Sequence, residues 1–138
     1  MAKTTSTLTF FVVFTAALVL LSGCSSRSGE EAPAAFGELR EVNDLLHAAA
    51  GTTGRPPAKL ADLDRHQSLF SRGYEAVKSG NVVVLWGAPL KGEEDAGKEE
   101  AVVAYEKAVP TEGGYVLLSA GTVKKMSAAE FQAAPKAK

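Results

Sequence analysis

Cysteine and histidine are almost missing from this chain: among 138 residues there is one cysteine, Cys24, and two histidines, His47 and His66. A lone thiol excludes an intramolecular disulfide scaffold. A zinc site needs three or four well-spaced ligands, and two histidines with only Asp62 and Asp64 between them in reach make a poor set. The two aspartates also lack the remainder of a calcium-loop pattern. Charge of one sign is missing as well: 15 Lys and Arg stand against 16 Asp and Glu, a net charge of -1 without a basic stripe. Nucleic-acid binders draw much of their affinity from neutralised phosphates, so that class is excluded.

Nucleophile patterns are lacking too. There is no Gly-x-Ser-x-Gly, and no serine stands with a histidine and an acid in a recognisable order. The segment from Gly92 to Lys98 has the Gly-x-x-x-x-Gly-Lys spacing of a nucleotide loop, but Glu99 occupies the place of the metal-binding Ser or Thr. Glu93, Glu94 and Asp95 would line the bend and repel a polyphosphate, so it reads as a solvated loop. These absences leave no cofactor, metal, nucleotide or catalytic set, and the expectation is a protein that is not an enzyme. Large core formers are few and alanine is common, so the core of the one domain this length allows is small.

What is present begins at the N-terminus. Met1-Ala2-Lys3 and a polar stretch precede an apolar run at 8–21. A charged start followed by an apolar run of about 14 residues is the layout of a secretory signal, whereas a comfortable bilayer span needs about 20. The run closes on Leu21-Ser22-Gly23-Cys24, which resembles the lipobox of bacterial lipoproteins. That resemblance implies cleavage before Cys24, which becomes the lipidated first residue. Each buried methylene contributes about 0.8 kcal/mol and several acyl chains together hold stably, so the membrane becomes a partner through Cys24. Ser25 and Ser26 replace the aspartate that, by the lipoprotein sorting rule of enteric bacteria, favours inner-membrane retention. The expected location is therefore the bacterial cell envelope, lipid-anchored and facing the periplasm, with the outer membrane favoured over the inner.

The chain then divides into a signal peptide at 1–23, a flexible tether at 24–35, a folded domain at 36–134 and a tail at 135–138. The tether is Ser, Gly, Glu, Ala and Pro, a composition that cannot offset the entropy of ordering. In the domain, Phe36, Leu39, Val42, Leu45, Leu46 and Ala49 recur at spacings of three and four, which predicts an amphipathic helix over 36–50 stopped by Gly51. Glu38, Arg40, Glu41 and Asp44 fall on its outer face. Pro57 opens a short turn that buries Leu60 and Leu63.

The period then changes. Residues 74–78 and 82–86, around Ser79-Gly80-Asn81, predict a β-hairpin. The run Val82-Val83-Val84-Leu85-Trp86 is apolar without alternation, which predicts a central strand covered on both faces. Further strands are predicted at 101–107, 115–119 and 123–126, the last at an edge. Ser127 with Glu130 three positions on predicts a capping box that opens a short helix carrying Phe131. The fold class is α+β: one amphipathic helix packed on a small antiparallel β-meander, with a short C-terminal helix. Trp86 and Tyr105 are the candidates for a binding surface, although core packing is the commoner role of strand aromatics.

The segment Gly113-Gly114-Tyr115-Val116-Leu117-Leu118-Ser119-Ala120-Gly121-Thr122-Val123 resembles the closing hairpin of prepilin-like proteins of the planctomycete type. The upstream order, a helix and then the Pro57, Leu60 and Leu63 turn before a sheet, is similar to the globular part of type II secretion pseudopilins. The resemblance implies a fold; Ala120 replaces the turn aspartate, and a lipobox stands where the prepilin peptidase site belongs. The functional expectation is a non-enzymatic, lipid-anchored protein that binds or scaffolds another envelope protein. The alternatives are a periplasmic hydrolase or carbohydrate-active enzyme, and a pseudopilin-like subunit of a secretion or pilus assembly.

Overall fold

The computed structural model describes residues 33–138; the export segment, the motif Leu21-Ser22-Gly23-Cys24 and most of the tether lie outside the described residues. Pro33 is extended (φ -49°, ψ 144°), and helix α1, Ala34–Thr53, starts directly after it. The apolar stripe fills one face of α1 and buries Leu39, Val42, Leu45, Leu46 and Ala49. Gly51 does not stop the helix. The stop is Gly54, left-handed at φ 70°, whose N–H donates to the Ala50 carbonyl at 2.8 Å. A glycine ends a helix only where the chain turns into the left-handed region, and the turn comes just before Arg55-Pro56-Pro57.

Two short 3-10 turns follow, Leu60–Asp62 and Asp64–His66, with Leu63 fully buried between them. The segment predicted as the first strand of a hairpin is instead helix α2, Ser71–Lys78. Its buried residues Gly73, Tyr74 and Ala76 do not separate a helix from a strand over so short a stretch, and tertiary packing decides. A Cβ on Gly73 would stand 2.9 Å from the Glu41 carbonyl carbon and the Val42 nitrogen, so the missing side chain lets α2 lie directly on α1. The Arg72 N–H at the start of α2 donates to Glu41 Oε1 at 3.2 Å, so α1 supplies a partner for one of the free donors of α2.

Four strands, β1 (Val82–Val84), β2 (Val102–Glu106), β3 (Gly114–Leu118) and β4 (Val123–Met126), form an antiparallel sheet in the order β1-β2-β3-β4. The architecture is α+β. The apolar run at 82–86 is not central: β1 is an edge strand of Val82–Val84, and beyond it the Leu85 N–H still donates to the Val103 carbonyl at 2.8 Å. A register shift in β2 between Val102 and Ala104 turns both Val103 and Ala104 to the side of α1. That side, with Val82, Val84 and Leu117, packs against α1 and α2.

The second face carries Val102, Val116, Leu118 and Met126. Two short helices cover it, α3 (Val109–Glu112) and α4 (Ala128–Ala133), through Val109 and Phe131. The predicted capping box is present: Glu130 N–H donates to Ser127 Oγ at 3.2 Å, and Ser127 N–H to Glu130 Oε2 at 2.7 Å. Beyond α4 the chain returns to the sheet. Val102 N–H donates to the Pro135 carbonyl and Ala137 N–H to the Val102 carbonyl, both at 2.9 Å, along the side of β2 that β1 has left.

Candidate functional site

The two histidines line separate clefts. His66 Nε2 lies 3.2 Å from Thr52 Oγ1, in a cleft of about 270 Å³ lined also by Thr53, Asp62 and Arg65. The Thr52 hydroxyl donates to the Ala48 carbonyl at 2.9 Å, so its proton is held by the helix backbone and is not presented to the imidazole. Asp62 accepts the Ala58 N–H at 2.8 Å, and Asp64 accepts the Tyr74 hydroxyl at 2.7 Å. That hydrogen bond, with burial and the carboxylate charges of Asp64 and Glu75, pushes the Tyr74 hydroxyl above the usual phenol value. His47 lines a separate cleft of about 230 Å³ with Asn43, Asp44, Lys91 and Glu93. Among the described residues no three His, Cys, Asp or Glu side chains are grouped to hold a metal ion.

In the bend with nucleotide-loop spacing, Lys91 Nζ donates to the carbonyls of Lys98 (3.4 Å) and Glu99 (3.1 Å). Lys98, at the position of the phosphate-binding lysine, pairs with Asp95 at 3.7 Å across one turn.

Trp86 and Tyr105 are not brought together. Trp86 follows β1 and is 37% exposed, one of two large apolar side chains strongly exposed among the described residues; the other is Leu69, at 74%. Tyr105 is half-buried on β2 opposite Val83, and its ring packs 4.7 Å from that of Phe131. The tyrosine therefore belongs to the second core, and the tryptophan to the surface.

One concave surface was not legible in the sequence. A groove of about 430 Å³ opens on the second face of the sheet, with Val102, Leu118 and Met126 as floor and the stretch from Ala133 to Pro135 as wall. Glu100, Lys124 and Glu130 stand at its rim. Two of these three are engaged: Glu100 accepts the Thr122 hydroxyl at 3.1 Å, and the Ser127 backbone and hydroxyl hold the Glu130 carboxyl below the usual carboxylate range. The groove exists because the chain after α4 folds back to β2, a contact between residues more than 30 positions apart. The chain matches no family model, no curated protein and no solved structure.

Proposed function

We propose that this chain is a lipid-anchored protein of the bacterial cell envelope whose small α+β domain binds or scaffolds another envelope protein without catalysing a reaction. The observation that carries this reading is the motif Leu21-Ser22-Gly23-Cys24: the only thiol in the chain lies at the one position where a lipobox requires it, directly after an export-length apolar run. The domain is consistent with that role. Its better-placed acids serve local structure, Asp62 and Asp64 in turns, Glu130 in a helix cap, and Glu106 as acceptor for the Tyr115 N–H. The extended backbone at Pro33 favours a tethered domain over a pilin-like subunit, in which one helix continues from the membrane into the fold. No helix among the described residues is long and apolar enough to cross a membrane.

The test is Cys24→Ala in the native host. The expected result is loss of labelling by radioactive palmitate, with either release from the membrane fraction or an unprocessed precursor. Unchanged labelling and fractionation would overturn the anchor. Co-purification from detergent extracts then tests the binding role, which predicts a reproducible envelope partner.

A further inference from the structure

The segment 91–101, between β1 and β2, is fastened at both ends to one residue. The Lys91 N–H donates to the Ser119 carbonyl at 2.8 Å, the Ser119 N–H to the Ala101 carbonyl at 2.8 Å, and the Ala101 N–H to Ser119 Oγ at 3.3 Å. Ser119 is the one polar residue buried among the described residues, so both ends are fixed to the core. Residues 92–99 are held differently. Their backbone hydrogen bonds stay within the segment, from Asp95 to Gly92, Ala96 to Glu93 and Lys98 to Asp95, and so does the Lys98–Asp95 ion pair. Ala96 is their only apolar side chain, and it is exposed. Their single polar tie to the base, among the described residues, is the Lys91 ammonium on the Lys98 and Glu99 carbonyls. Glu99, at that tie, has φ 41°, the one positive φ outside glycine among the described residues, and such backbone is strained.

Beside this tip runs a groove. One part, of about 330 Å³, lies between Arg40 of α1 and Glu93 and Ala96 of the tip. The next, of about 230 Å³, lies between Asn43 and His47 of α1 and Lys91 and Glu93. Ala120 lines both parts and is nevertheless only 3% exposed. Asn43 Oδ1 is buried in the wall, beside Gly121, with no hydrogen-bond partner among the described residues.

We propose that residues 92–99 are a hinged flap over this groove, with its base on Ser119 and the Lys91 ammonium as its latch, so that the latch governs access to the outer face of α1 over 40–47. Strain at Glu99 and the unpartnered Asn43 carbonyl weigh against the latched form, and two charge-assisted hydrogen bonds weigh for it. With almost no apolar contact of its own, the tip opens at far less cost than the sheet beneath it. The flap depends neither on the lipid anchor nor on the identity of a partner.

The test is thiol labelling of Ala120→Cys in the full chain carrying Cys24→Ala, which leaves the new thiol as the only one. The expected result is labelling well ahead of global unfolding, which Val103→Cys reports from the first core, where the side chain is 1% exposed. Lys91→Met keeps an unbranched side chain of similar length and removes the latch. It should speed labelling of Ala120→Cys about tenfold relative to Val103→Cys. Lys98→Met, which loses the ion pair and keeps the latch carbonyl, should leave that ratio unchanged. Hydrogen exchange of the chain without a new thiol gives a second readout. The amides of Asp95, Ala96 and Lys98 should exchange together, and Lys91→Met should speed all three by the factor seen for the Ala120→Cys thiol. Labelling of Ala120→Cys no faster than that of Val103→Cys overturns the proposal, and so does a Lys91→Met effect on the flap amides that the thiol does not share.

Discussion

The two faces of the sheet are covered by different means. The first lies under α1, a helix of 20 residues and about 30 Å, with α2 laid against it through Gly73. The second lies under α3 and α4, of four and six residues. Helices that short do not persist on their own propensity. They are held by closures at their ends: the capping box at Ser127, the two Val102 hydrogen bonds to the returning chain, and Lys136, whose ammonium donates to the carbonyls of Phe131, Gln132 and Ala134 and sits 4.3 Å from the Phe131 ring centre. One face is stabilised by apolar area, and the other depends more on polar closures. The first face should therefore open only with global unfolding, and the second in local steps.

Leu45→Ala strikes the first face where the side chain is fully buried, and should cost about 2–5 kcal/mol in urea denaturation. A loss well under 1 kcal/mol would mean that α1 is not the main support. Gly73→Ala should follow with about 1–3 kcal/mol, because the new Cβ meets helix backbone that has to move. Ser127→Ala should cost about 1 kcal/mol, with faster hydrogen exchange confined to α4 and the returning chain while α1 amides keep their protection. Equal acceleration in α1 would erase the distinction between the faces.

The smallest effects have opposite signs of pH dependence. The Glu130 carboxyl is held low by Ser127, so its contribution is present above the ordinary carboxylate value and lost as pH falls through the lowered folded value. Glu130→Gln should flatten the acid limb of stability against pH. The Tyr74 hydroxyl is raised by its bond to Asp64, so its contribution is present below the ordinary phenol value and lost as pH rises through the raised folded value. Tyr74→Phe should flatten the alkaline limb. Thermal melts across pH would distinguish the two variants, and a change in the same limb for both would contradict the assignment.

The legible parts of the fold are those whose signals are local. The strand of 123–126, the Ser127–Glu130 capping box and the apolar stripe of α1 each depend on residues a few positions apart. The Gly113-Gly114 pair between α3 and β3 is local in sequence, but the physical reason for it is not. A Cβ on Gly113 would meet the Met126 carbonyl at 2.8 Å, and one on Gly114 would meet Glu106 Oε2 at 2.7 Å. The misreading of 74–78 arose where the preference is set by α1, which supplies both the close contact at Gly73 and the acceptor for Arg72. Trp86 was visible as a surface candidate. The groove on the second face was not, because it needs Val102 and the chain after α4 in one place.

By itself the sequence determined the α+β class, the long helix and its buried stripe, the last hairpin and the capped final helix, because each follows from side-chain periodicity or from hydrogen bonds between near neighbours. Only the tertiary structure decided that 71–78 is helical, that the most apolar strand lies at an edge, and that the chain after α4 closes the second face. Those outcomes depend on contacts between distant residues. The backbone there has two acceptable local conformations or two available neighbours, and the packed whole selects between them.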